Sequence, residues 1–183
     1  MRRYLRSATK KKILLLLCAG IALGLATNPY TQRRIFRKVV REWKYIDRQK
    51  LYRTLTEFEK RGLLRYKQRG GNWEVELTEK GRRDAQRCAF EELEIKKPKT
   101  WDRKWRLALF DIPEKKKIVR DALRQKLQKL GFVELQKSVF VYPYPCKGEI
   151  EAVGSFFNAQ KFITTCIVTE ISDEKMLRKI FSL

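Results

Sequence analysis

The hydrophobic period changes several times along this chain, and each change marks an element. Residues 105–110 (WRLALF) form an apolar run too short for a helix, closed by Asp111 and Ile112-Pro113, which predicts a buried strand ending in a turn. From Lys115 the period lengthens. Ile118, Val119, Ala122, Leu123, Leu127 and Leu130 recur every three or four residues, while Lys116, Lys117, Arg120, Arg124 and Lys129 fill the other side. This predicts an amphipathic helix of about four turns with Gly131 at its C-terminal cap. Residues 132–136 and 139–144 alternate and are rich in β-branched and aromatic side chains, so they read as two strands bent at Lys137-Ser138. A second helix is expected over 149–157, with Ile150, Val153, Phe156 and Phe157 inward, and a fourth strand over 162–168. Ser172 is the expected cap of a last helix in which Met176, Leu177, Ile180 and Phe181 pack back on the sheet. The order is that of a split β-α-β-β-α-β unit.

The first half of the chain has a different pattern. Residues 1–12 read as a basic, frayed arm leading into the apolar run 13–26. That run is fourteen residues, or about 21 Å of helix against about 30 Å of hydrocarbon, so the first helix of a soluble domain is the preferred reading and a membrane segment the alternative. Residues 31–43 predict a second helix with Ile35, Phe36, Val39, Val40 and Trp43 inward. A third starts behind Asp47, a good N-cap, with Leu51, Leu55 and Phe58 inward and Gly62 at its end. Residues 64–68 and 73–77 flank the turn 69–72 as a hairpin, and a fourth helix runs from Thr78 to about Leu93. Three helices, a hairpin and a helix give a helix-turn-helix layout that resembles a winged-helix domain. The charged stretch 94–100 (EIKKPKT) is the expected linker, so the domains are 1–93 and 101–183.

Charge then sharpens the picture. The net charge is +22, and residues 1–98 hold 26 basic and 11 acidic side chains against 17 and 10 in the rest. Such an excess calls for a polyanion, with DNA or RNA favoured over an anionic membrane surface. There is no histidine, which removes Ser-His-Asp and Cys-His nucleophile systems and every histidine-containing metal site. Cys18, Cys88, Cys146 and Cys166 are widely separated, with no C-x-x-C pair; they read as small buried thiols of a reducing, cytoplasmic compartment.

In a winged helix the third helix enters the major groove. Its outward side carries Arg48, Gln49, Tyr52, Arg53 and Thr56, and it appears nearly free of acid. Arginine and glutamine can read guanine and adenine edges, and tyrosine can donate to phosphate. Lys67 and Arg69 on the wing and Arg33 and Arg34 near the second helix suit phosphates. An ordinary solvated face used for protein contacts is the alternative.

The string LALFDIP, with its strand-ending Asp111, the basic helix after it and QKSVF at 136–140, resembles CRISPR-associated protein two, a ferredoxin-like dimer that partners the spacer integrase. With WDRKWRLALFDIPEKK ahead of it, the similarity is closer to the central domain of the PaaX-like repressors, which embed that fold in a transcription regulator. The resemblance implies an α+β chain: an N-terminal winged helix-turn-helix followed by a ferredoxin-like domain that pairs two copies. It also implies a role for Asp111. In the CRISPR-associated relatives the matching acid lies at the dimer axis and is assigned to metal-dependent phosphodiester cleavage. A magnesium site needs two or more oxygen ligands, so here Asp111 would have to come from two chains. An aspartate before Ile-Pro is equally a turn residue.

Three functions follow. The preferred one is a repressor-like regulator that binds double-stranded DNA as a homodimer, without cofactor and without catalysis. The second is a magnesium-dependent nuclease, and the third a non-catalytic DNA-binding adaptor of spacer acquisition with an integrase partner.

Overall fold

The helix predicted to follow the basic arm in fact begins inside it. In the computed structural model, which describes residues 5, 7–25, 45–69 and 72–183, α1 spans Ala8–Leu25, so Lys10, Lys11 and Lys12 are helical and not frayed. Lys10 Nζ donates to the Glu57 carboxylate, which anchors that first stretch. Ile13, Leu14 and Leu16 are buried, with Leu15, Leu17 and Cys18 packed partly against the same core. Among the described residues no helix is long and apolar enough to cross a membrane. The helix expected over 31–43, with Arg33 and Arg34, lies outside the described residues.

Contacts divide the chain into two units, Met1–Glu91 and Glu92–Leu183. In the first, α2 (Arg48–Lys60) starts where Asp47 accepts a hydrogen bond from the Lys50 amide at 2.9 Å. Its buried residues are Phe58 and, unexpectedly, Thr54. The threonine is tolerated because its hydroxyl donates to the Lys50 carbonyl at 2.7 Å and so carries no unmet donor inward. Leu51 and Leu55 are only partly buried. Gly62 ends the helix at φ +67°, and the chain turns into β1 (Leu64–Arg69), which pairs antiparallel with β2 (Asn72–Leu77) in the register Leu64 to Leu77. α3 (Glu79–Glu91) then packs against α1 and β2, burying Ala85 and Cys88.

The second unit is built on β3 (Trp105–Phe110), the strand read from the sequence with the same limits. A 3-10 turn at Glu114–Lys116 leads into α4 (Lys117–Lys129); β4 (Val133–Gln136) and β5 (Val139–Tyr142) follow. After them come α5 (Lys147–Phe156), a 3-10 turn at Gln160–Phe162, β6 (Ile163–Val168) and α6 (Glu174–Phe181). The sheet is antiparallel in the order β4-β5-β3-β6, so both segments that contain a helix cross over a neighbouring strand. Gly131, at φ +93°, closes α4: its amide donates to Gln128 and the Phe132 amide to Leu127.

Several inward assignments differ from expectation. Ile118 is 86% exposed. The buried stripe of α4 is Leu123, Lys126, Leu127 and Leu130, and Ile118 lies about 140° around the helix from Leu123 at 100° per residue. In α6, Leu177 is buried against Trp105 and Val141 with Phe181 beside it, whereas Met176 and Ile180, both on one side of that line, are about half exposed. Phe156 is also exposed. The last helix begins after Asp173 and not at Ser172, without a side-chain cap. Cys88 and Cys146 are buried, but Cys166 on β6 is exposed.

Two charged side chains are buried in the second unit, Lys126 on α4 and Arg106 on β3. Arg106 is 8% exposed; its guanidinium donates to both Asp102 oxygens and, at 2.7 Å each, to the carbonyls of Lys104 and Pro143. The arginine hydrogen bonds hold the Asp102 carboxyl below the ordinary aspartate value of 3.8. A lowered folded-state value stabilises the fold above the unfolded value, and that contribution is lost as pH falls through the folded one. Acid titration followed by tryptophan fluorescence should therefore show a loss of stability below about pH 3.8 that is flatter in Asp102→Asn.

A second prediction concerns backbone approach in the first unit. A Cβ on Gly81 would stand 1.9 Å from the Leu63 carbonyl oxygen, which is backbone and cannot step aside. Gly81→Ala should cost at least about 3 kcal/mol, the upper end for overpacking, and thermal denaturation should show it.

Candidate nucleic-acid interface

The N-cap at Asp47 determines where α2 begins, and therefore which side of it faces out. Arg48, Gln49, Tyr52, Arg53 and Thr56 are all exposed, Tyr52 by 70%, and at positions i, i+1, i+4, i+5 and i+8 they form one stripe. An open depression runs along it, lined by Tyr52, Arg53, Thr56, Glu57 and Lys60. The Thr56 hydroxyl donates to the Tyr52 carbonyl at 3.0 Å, so toward a ligand it offers its oxygen as an acceptor.

Glu57 corrects the expectation that this face is nearly free of acid. Its carboxyl is held below the ordinary range, chiefly by the hydrogen bond from Lys10 of α1, and Arg61 adds a contact at 3.0 Å. The acid is ionised and doubly countered. The pairing of Lys10 with Glu57 joins positions 47 residues apart, so no local spacing signals it.

Beyond α2, Lys67 and Arg69 lie on β1, opposite Glu74 and Asn72 in the hairpin register. Arg65 is ion-paired with Glu76 across the hairpin at 2.9 Å. Arg33 and Arg34 lie outside the described residues, so they are not placed beside this face.

Asp111 follows β3 and is exposed, with its amide donating to the Phe162 carbonyl at 3.0 Å. The nearest acid in sequence, Glu114, is ion-paired with Arg120 at 2.7 Å, which holds its carboxyl low. Among the described residues no three of His, Cys, Asp and Glu gather to hold a metal. One chain thus brings Asp111 without the further oxygen ligands that magnesium takes. Burial pushes the Cys146 thiol up to about 12, which keeps it protonated and unreactive at neutral pH.

These features define a two-unit α+β protein: a capped helix with a basic outer stripe ahead of a hairpin, followed by a four-stranded antiparallel sheet with helices. Residues 98–179 match the family model described as the PaaX protein central Cas2-like domain, so this stretch, most of the second unit, is similar to that domain. No curated protein gives a significant match.

The interface depends on the cap. Asp47→Ala should lower stability by about 1 kcal/mol, the usual cost of losing such a cap, and fray the turn that carries Arg48 and Gln49. Circular dichroism melts and duplex binding on the same variant check both effects.

Proposed function

We propose that this chain is a DNA-binding transcriptional regulator of the PaaX type, acting as a repressor. In this reading the first unit is a winged helix, with α2 as the recognition helix in the major groove and β1–β2 as the wing. The observation that carries it is the exposed stripe Arg48, Gln49, Tyr52, Arg53 and Thr56 on a helix capped at its start and followed directly by a hairpin. Arg53 and Gln49 would read base edges; Lys67 and Arg69, with Arg33 and Arg34, would contact phosphates.

The second unit, in this proposal, is a ferredoxin-like domain that pairs two copies. Support comes from its β-α-β-β-α-β succession, the sheet order β4-β5-β3-β6 and the family match. A two-fold dimer of short half-site readers recognises an inverted repeat in double-stranded DNA. Asp111 then serves as a turn residue, and no cofactor takes part.

Selection of bound duplexes from a random pool at about 150 mM salt tests this, because nonspecific charge binding is weak there. An inverted repeat should be enriched, and Arg53→Ala should lower affinity for it by about 1–3 kcal/mol while relaxing one base position in each half-site. Equal binding to scrambled duplex would remove the regulator reading, and cutting of the pool that stops in Asp111→Ala would replace it with a nuclease.

A further inference from the structure

Three segments far apart in sequence meet at one end of the four-stranded sheet. The Phe110 amide donates to the Ser138 carbonyl and the Asp111 amide to the Phe162 carbonyl, each at 3.0 Å. These bonds bring together the β3–α4 connection, the β4–β5 turn and the 3-10 turn ahead of β6. Every one of the three carries lysine: Lys115 and Lys116 in the first, Lys137 in the second and Lys161 in the third.

The convergence is closest around one ring. Lys116 Nζ lies 5.2 Å and Lys161 Nζ 5.1 Å from the centroid of Phe162. Neither lysine forms an ion pair among the described residues. The acids at this end are Asp111 and Glu114, and Glu114 is already held by Arg120. The ring attracts each ammonium through its quadrupole but leaves both charges in place. What remains is a concentrated positive surface at which the chain supplies too few anions.

We propose that this cluster is a second phosphate-contacting surface, with Lys116 and Lys161 at the Phe162 ring binding the phosphodiester backbone of the duplex. The proposal rests on the DNA-binding reading above and extends the interface to the second unit. Lysine reaches phosphate as a flexible point charge and not as a planar fork, so these contacts add affinity and ionic-strength dependence but no base discrimination.

The test is the dependence of duplex affinity on salt for the full chain, the Lys116→Gln/Lys161→Gln variant and a control with the exposed α6 residues changed, Lys175→Gln/Lys179→Gln. Two lost phosphate contacts should make the slope of log affinity against log salt shallower by about 1.8 in the first variant, with the selected base sequence unchanged and the control near the unaltered chain. An unaltered slope, or an equal change in the control, would overturn the proposal while leaving the DNA-binding reading standing. If the unaltered chain itself fails to bind duplex, both readings fall.

Discussion

A chain with 43 basic and 21 acidic residues must fold against its own repulsion, and this constraint governs how its acids are used. Glu57 ties α1 to α2; Glu76 clasps Arg65 across the hairpin; Asp102 accompanies Arg106 toward the core; Glu134 holds Arg124. Each of these pairs keeps at least one partner more than a quarter exposed, and ion pairs reached by solvent contribute at most about 1 kcal/mol each. They do not hold the fold together. The apolar interiors around Phe58 and Leu63 in one unit, and around Trp105 and Val141 in the other, outweigh them, at about 1.5–3 kcal/mol for each large side chain buried. The acids instead keep local repulsion down, which leaves the remaining positive charge available at the surface.

Close packing in the first unit then determines where that charge is presented. Gly62 turns the chain sharply after α2, and Gly81 lets α3 sit directly against the Leu63 carbonyl. Thr78 seals the junction: its hydroxyl donates to the Gly62 carbonyl and accepts from the Gly81 amide, and its own amide donates to Leu63. With Phe58 buried on one side of α2, the stripe from Arg48 to Thr56 has to face outward. Presentation of this basic stripe is therefore a consequence of backbone contacts on the opposite side of the helix.

Elements with a strong period or a clear punctuation mark were legible in the sequence. The limits of β3, the Asp47 cap and the Gly131 stop each follow from local chemistry that tertiary contacts do not override. Which apolar residue of a helix is buried was less legible. Ile118, Met176, Ile180 and Phe156 fit a helical stripe within a few residues, yet Leu123 and Leu127 are the apolar residues buried along α4, and α6 meets the sheet through Leu177. Thr54 and Lys126 are buried for the opposite reason: a hydroxyl can satisfy itself on its own helix, and a lysine has a long apolar stem. The outward stripe of α2 could be read from spacing because it lies within three turns of one helix. The lysines around Phe162 could not, because their proximity depends on sheet register.

Lys10 shows how the two kinds of information combine. Read alone, it belongs to a basic tail available for phosphate. Folded, it is the principal cause of the lowered Glu57 value, and so of a carboxylate that stays ionised beside Arg53 and Lys60. An uncountered carboxylate at that place would repel any phosphate brought to the stripe, as the proposed function requires, across a contact distance at which unit charges in water still interact by about 1 kcal/mol. With Lys10 and Arg61 covering it, the same acid instead fixes the end of α2 to α1 and leaves the outer stripe positive. The first helical turn of α1 thereby shapes the proposed interface from behind, through the charge it removes from the surface.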